Sequence, residues 1–428
     1  VTPIVLVAIN ARYIHPPFGL MCLRAALGPL RDQSLIVEFT LKTSVEEMAQ
    51  VVAAESPRVV GFSVYLWNKT KMEALGERLR QLCPGVILVA GGPEPIEGMD
   101  GVVEGPGEEP FRALCEVMIG IPEGIAPSLV ASPYDEYTDH DLKNRLTYVE
   151  TSRGCAFTCS FCTSAAHPIV KSLPIEDCLA AFEKLLARGA RRIKFLDRSF
   201  NLNPARANIV LDFFLDRLKE YEFFIHFEMV PDRFPPKLKE RLARFPAGVL
   251  QLEIGIQTLN PAVTQAIQRP LNPEIVLSNL EFLTLETNVT VHVDLIAGLP
   301  GESLESFGQG FDRLWSILGS RPGNELQLGI LKRLPGTPLD ADPEPGAVFR
   351  TEAPYDLLEG PHLSRQELVL LNNMARLWER TVNRGRFPGV PFVQFFAFTT
   401  WFMERHEASW GISQEVLDQE LLEYFPNR

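Results

Sequence analysis

Short apolar runs alternate with helix-length stretches in two successive series along this 428-residue chain, and that rhythm restricts the fold more than composition does. An apolar run of about five residues, then ten or more at helical spacing, then another apolar run, makes strands that pair in parallel with a helix crossing between them. In the first series the runs 5–9, 35–39, 59–63, 86–90 and 101–103 read as strands, with helices near 20–30, 45–54 and 69–82. A doubly wound parallel sheet over residues 1–135 is expected, with ligands at the carboxyl ends of its strands. After a Pro- and Asp-containing connector at 132–139, the runs 146–150, 193–196, 224–228, 249–256, 289–296 and 326–330 give six further β/α units. These predict an incomplete (β/α) barrel over 136–332, with its chemistry at the strands' carboxyl ends. A proline-rich loop at 334–346 and helical patterns beyond it predict a mainly helical extension over 333–428. The class is α/β throughout.

Bulk properties narrow the function. A net charge of -13 supplies no basic field for phosphates, which argues against bulk nucleic-acid binding. No segment approaches the ~20 apolar residues of a membrane span. The aromatic run at 390–402 is interrupted by Gln394, Thr399 and Thr400. The N-terminal segment lacks a cationic leader and reads as a buried strand, so a cytoplasmic protein is expected. Seven cysteines, an odd number, do not suggest a disulfide framework. Cys22, Cys83, Cys115 and Cys178 read as small buried hydrophobes.

The other three cysteines lie within eight residues, in Thr151-Ser-Arg-Gly-Cys155-Ala-Phe-Thr-Cys159-Ser-Phe-Cys162, directly after the first strand of the second series. Spacings of four and three let three thiolates face one metal centre. A tetrahedral zinc would want a fourth closely spaced ligand, and the nearest candidate, His167, stands alone. An iron-sulfur cubane with three protein ligands instead leaves one iron open to a chelating molecule. Cys-x3-Cys-x2-Cys in this context, with Phe161 before the last cysteine, resembles the radical S-adenosylmethionine superfamily. The resemblance implies a [4Fe-4S] cluster on Cys155, Cys159 and Cys162, S-adenosylmethionine on the open iron, its reductive cleavage to a 5'-deoxyadenosyl radical, and a reductant such as flavodoxin or ferredoxin. It further implies cofactor contacts from Asp197, Arg198 and Ser199 after the second strand, Glu228 at the third, Gln257 at the fourth and Ile296 in the fifth-strand segment ending Gly298-Leu-Pro-Gly-Glu302. For each of these the plainer reading, a polar residue closing a strand end, stays open.

Strand ends of the first series carry three unusual loops: Ser63-Val-Tyr65-Leu66-Trp67-Asn68, Gly91-Gly92-Pro93-Glu94, and Glu104-Gly105-Pro-Gly107. Glycines there allow close approach of backbone to a large ligand. A doubly wound domain with such loops, placed before such a barrel, resembles the cobalamin-binding domain of a large radical subclass. The usual Asp-x-His-x-x-Gly signature is absent. The resemblance then implies a cofactor bound with its base displaced, Leu66 or Trp67 beneath cobalt, and Tyr13 and His15 within reach of corrin or substrate. The extension resembles a C-terminal domain found in a subset of these proteins, and its aromatics at 392–402 read as core.

The resulting expectation is a cobalamin-dependent radical enzyme that methylates an unactivated carbon through methylcobalamin. Two alternatives remain at this point: a radical rearrangement, cyclisation or ring contraction without methyl transfer, and a non-catalytic cobalamin or iron-sulfur sensor. The substrate is unknown from sequence.

Overall fold

The structure, a computed structural model, describes residues 2–120, 131–166, 168–406 and 408–426. It divides into two compact units, Val1–Val149 with Ala180–Lys194, and Glu150–Leu179 with Phe195–Arg428.

The first unit is built on five parallel strands, β1 (Ile4–Asn10), β2 (Ser34–Thr40), β3 (Val59–Ser63), β4 (Ile87–Gly91) and β5 (Gly101–Val103), in the order β2-β1-β3-β4-β5. Six successive residues of β1 are buried, as a central parallel strand covered on both faces requires. Its side chains alternate between two cores. Val5, Val7 and Ile9 pack with Met48, Val52, Leu75 and Leu79 from α2 (Val45–Ala54) and α3 (Lys69–Leu82). Ile4, Leu6 and Ala8 pack with Leu20, Phe111 and Cys115 from α1 (Phe18–Ala26) and α4 (Glu108–Ile119). Each such fully buried aliphatic contributes roughly 1.5–3 kcal/mol.

The first helix is shorter than its apolar pattern. It ends at Ala26 because Gly28, at φ +55°, and the proline after it break the hydrogen-bond ladder and start a 3-10 turn, Gly28–Gln33. The connector is ordered as a 3-10 turn, Pro133–Glu136, and a short helix α5 (Asp139–Asn144), which Thr138 and Asp141 close with a capping box. Cys22 and Cys115 are buried as expected, whereas Cys83, at the end of α3, is half-buried against the core.

Six strands form the second parallel sheet: β6 (Thr147–Val149), β9 (Arg192–Phe195), β10 (Phe224–Met229), β11 (Leu250–Gln257), β12 (Thr290–Ala297) and β13 (Glu325–Ile330), in sequential order from β6 to β13. Between β6 and β9 lies a two-stranded antiparallel ribbon, β7 (Ser152–Arg153) with β8 (Lys171–Ser172). Helices α6 (Ile175–Ala187), α7 (Pro204–Arg217), α8 (Pro236–Leu242), α9 (Pro261–Ala266), α10 (Pro273–Glu286) and α11 (Leu304–Leu318) occupy the crossovers. Along β11 and β12 burial alternates strictly: Leu252, Ile254, Val291 and Val293 are buried, while Glu253, Gln257, His292 and Asp294 are partly accessible. One face of the barrel sheet is therefore apolar core and the other polar.

The extension is mainly helical, with α12 (Pro338–Ala341), α13 (Arg365–Thr381), α14 (Phe392–Arg405) and α15 (Gln414–Tyr424). It also contains a small ribbon, β14 (Val348–Phe349) and β15 (Leu357–Glu359), that its proline-rich sequence did not announce. Phe392, Phe395, Phe398 and Phe402 form the buried stripe of α14, with Trp378 edge-on to Phe395 and Phe311, while Phe396 and Trp401 are only half-buried. Among the described residues no helix is long and apolar enough to cross a membrane.

Arg145 ties the first unit together. Its buried guanidinium grips Glu38 through two bonds of 2.6 and 3.0 Å and donates to the carbonyls of Tyr13 and His15, each at 2.8 Å. An Arg145→Met variant takes the charged partner from Glu38, which keeps only the Asn10 amide, and leaves the two carbonyls unpaired. It is expected to lose about 3–5 kcal/mol, seen as a lower urea midpoint for the first unit.

Candidate functional site

At the carboxyl ends of β3 and β4 the first unit opens a cavity of about 180 Å³. Ser63, Tyr65, Gly91, Gly92, Gly105 and Gly107 line it, all from the three loops singled out by sequence. Gly19, Leu20, Gly61 and Phe111 line it too, and these were not anticipated, because each looks like an ordinary helix or strand residue. Gly92 is obligatory: its φ is +124°, and a Cβ there would stand 2.2 Å from the Val64 carbonyl oxygen. The cradle is thus shaped by backbone, with mainly apolar walls.

Other expected residues lie outside that cavity. Trp67 is about half exposed, stacked on Tyr65 with centroids 4.5 Å apart, and its indole N–H donates to the Ile9 carbonyl. Leu66 beside it is partly buried, and Pro93 and Glu104 are exposed. Glu94 is turned inward and buried, 3.5 Å from the Lys69 ammonium. Asn68, missed by sequence reading, organises the 63–68 loop: its amide donates to the Ser63 and Ile9 carbonyls and its oxygen accepts the Tyr65 N–H. Tyr13 is exposed, its hydroxyl 2.6 Å from His140. His15 Nδ1 lies 2.5 Å from the Tyr148 hydroxyl. Burial holds the His15 imidazole below its ordinary value, helped by Lys194, Arg12 and Arg145, while burial pushes the Tyr148 phenol up to about 12. A neutral imidazole and a protonated phenol therefore share this hydrogen bond.

In the second unit the cysteine loop is an excursion closed at its stem by the β7–β8 ribbon. Asp197 fixes the entry: its buried carboxylate accepts the Thr151 N–H at 2.8 Å, the Thr151 hydroxyl at 2.7 Å and the Ser152 hydroxyl at 2.6 Å. Burial nonetheless raises this carboxyl, with those bonds opposing. Cys159 is buried, and Cys155 and Cys162 are partly accessible. Burial pushes the Cys155 thiol up, the Phe157 N–H opposes, and Cys159 and Cys162 push it further, so the three sulfurs feel one another. Among the described residues no three His, Cys, Asp or Glu side chains converge as a single ion would need, and His167 lies outside those residues. A cubane asks less of the chain, since each thiolate takes a different iron. The three-thiol donor set, with the Arg269 guanidinium 3.4 Å from Cys159 Sγ, fits an anionic cluster.

The remaining expected residues sit at the strands' carboxyl ends. Phe161 is half-buried in the loop and Ser199 is buried after β9. Arg198, exposed, lies 3.4 Å from Glu228. Gln257 ends β11 in a left-handed conformation, φ +73°, at an irregularity in the β11–β12 register, and its buried Oε1 has no donor among the described residues. Ile296 is on the accessible face of β12. Asp197 differs from its neighbours in spending both oxygens on the loop. Arg269 and Phe157 are further residues that sequence reading missed.

Comparison with known proteins follows the same division. Residues 149–314 match the family described as the radical SAM superfamily, and residues 4–115 match the B12 binding domain. The ribosomal protein uS12 methylthiotransferase RimO of Nitratiruptor sp. is 26% identical over 175 residues, 38% of this chain and 39% of that protein. The cobalamin-dependent radical SAM methyltransferase TokK of Streptomyces tokunonensis is 24% identical over 414 residues, covering 84% of this chain and 58% of that one. The chain thus spans well under two thirds of the length of both relatives. The solved radical S-adenosylmethionine methyltransferase TsrM of Kitasatospora setae superposes with a TM-score of 0.64 at 19% identity, over 82% of this chain and 79% of that one, a likeness of fold.

Two measurements check this geometry. Asp197→Ala should cost several kcal/mol, since bonds to a charged acceptor are worth ~1.5–3 kcal/mol each, and should lower iron content after anaerobic reconstitution. For His15, the unfolded imidazole takes its proton near pH 6.5 and the folded one at lower pH, so stability falls as pH drops below 6.5. His15→Gln should flatten that part of a stability-against-pH curve.

Proposed function

We propose that the chain is a cobalamin-dependent radical S-adenosylmethionine enzyme and that it transfers a methyl group to an unactivated carbon of its substrate. The reading is carried by the joint presence of the cysteine triplet and the glycine-lined cavity in one chain, 84% of whose length aligns with a protein named as a methyltransferase of this kind. When bound, the [4Fe-4S] cluster, S-adenosylmethionine and cobalamin supply one-electron cleavage to a hydrogen-abstracting radical and a transferable methyl group.

The chain's own residues hold and shield these groups. Cys155, Cys159 and Cys162 would each take one iron. Ser63, Tyr65 and the glycines of the cavity would receive the buried end of cobalamin. Leu66 and the Trp67 ring, held by Tyr65 and the Ile9 carbonyl, would help to shield the bound cobalamin from water. Gln257 offers an unfilled acceptor, and Arg198 with Glu228 a charge pair, for the polar ends of S-adenosylmethionine. A flavodoxin- or ferredoxin-type protein would deliver the electron.

The test uses the full chain reconstituted anaerobically with iron, sulfide and hydroxocobalamin. It is supplied with a reductant, methyl-deuterated S-adenosylmethionine and a small-molecule extract of the source cells. The expected result is 5'-deoxyadenosine together with a compound carrying the deuterated methyl, both lost in Cys159→Ala. Nucleoside release without label in any consumed compound would favour a rearrangement and sink methyl transfer. Release that survives Cys159→Ala would remove the cluster assignment.

A further inference from the structure

We propose that Arg269 sets the reduction potential of the cluster on Cys155, Cys159 and Cys162, holding it higher than the three thiolates alone would. The proposal rests on that cluster being present, and it concerns a residue 110 positions along the chain from the cysteine it touches.

Its position is built, not incidental. Helix α9 ends at Ala266, Gln268 takes the left-handed conformation at φ +54°, and the Arg269 N–H returns to the Thr264 carbonyl at 2.8 Å. That turn throws the side chain back over the cysteine loop. Nη1 donates to Cys159 Sγ at 3.4 Å, and Nη2 donates to the Gly255 carbonyl, which fixes the plane of the guanidinium. The Nε hydrogen is buried without an acceptor among the described residues, so one donor remains for a group that the loop would bring with it. The guanidinium also lies 5.9 Å from the Phe157 ring centre, with Arg233 at 5.8 Å from the same ring. The loop is tied to the same turn through its backbone, since the Ser160 N–H donates to the Ile267 carbonyl at 3.0 Å.

The electrostatics have one sign. Reduction adds an electron to an already anionic cluster, and both a fixed positive charge and an N–H to sulfur bond favour the more negative state. Cys159 is only 5% exposed, so solvent screens this charge poorly. Removing Arg269 therefore makes reduction harder. A purely structural role would change loop order and iron content without moving the potential. Lysine keeps charge but loses the planar fork and so should keep part of the effect.

The experiment is an EPR-monitored redox titration of the reconstituted full chain as wild type, Arg269→Lys and Arg269→Met. Iron content and the spectrum of the wild type come first: without a cluster signal there, the cofactor reading fails and the arginine is not at issue. At the wild-type midpoint, Arg269→Met is expected to show about a tenfold lower ratio of reduced to oxidised cluster, about 59 mV for one electron, with Arg269→Lys between. A loaded Arg269→Met at the wild-type midpoint overturns the proposal. If Arg269→Met does not load, Arg269→Lys decides: a lowered midpoint supports the proposal, and an unchanged one overturns it.

Discussion

The buried carboxylate of Asp197 accepts three hydrogen bonds from Thr151 and Ser152, the two residues that lead into the cysteine loop. Putting a carboxylate where it is 1% exposed costs several kcal/mol unless donors surround it. Here the donors are the loop stem itself, so ionisation of Asp197 and the placement of the stem depend on each other. Arg206 adds a second clasp by donating to the carbonyls of Thr151 and Leu173, on either side of the ribbon. Farther along, the Ser160 carbonyl accepts the Leu339 N–H at 2.8 Å, which brings the extension to the loop. Three cysteines on a flexible segment would have to be ordered by the metal. On this stem much of that ordering is complete beforehand.

A different economy governs the first unit. Its cavity is shaped chiefly by what is missing: glycine side chains at 61, 91, 92, 105 and 107 leave backbone to form the wall. The Arg145 network then fixes the 10–19 loop, with Tyr13 and His15 held through their carbonyls and their rings free to meet His140 and Tyr148. In the barrel sheet, strict alternation along β11 and β12 gives an apolar face for the helices and a polar one for chemistry, bearing Glu253 and His292, to which β10 adds Glu228 and the buried His226. A closed barrel would fill that face with branched aliphatics. This sheet keeps it polar.

Much was readable in one dimension. The strand runs, the two series, the cysteine spacing and the three loops at strand ends emerge from periods of two and 3.6 residues and from local spacing. The helix 45–54 and the strand 59–63 lie where their patterns put them. Errors were local breaks, as at Gly28, where an apolar pattern continued past a residue that ends a helix. The small ribbon in the extension escaped because two- and three-residue strands carry no period at all.

The chain's order of residues thus determined which elements form, that their sheets are parallel, and that three thiols share one loop, because each of these follows from interactions between near neighbours. Only the tertiary structure decided which side chains meet: Asp197 with Thr151, Arg145 with Glu38, Glu94 with Lys69, Arg269 with Cys159. Those pairs are separated by 25 to 110 positions, and a contact of that range leaves no local signal. It exists because burial makes an unpaired charge or donor too costly to leave, and the packed fold determines which partner is within reach.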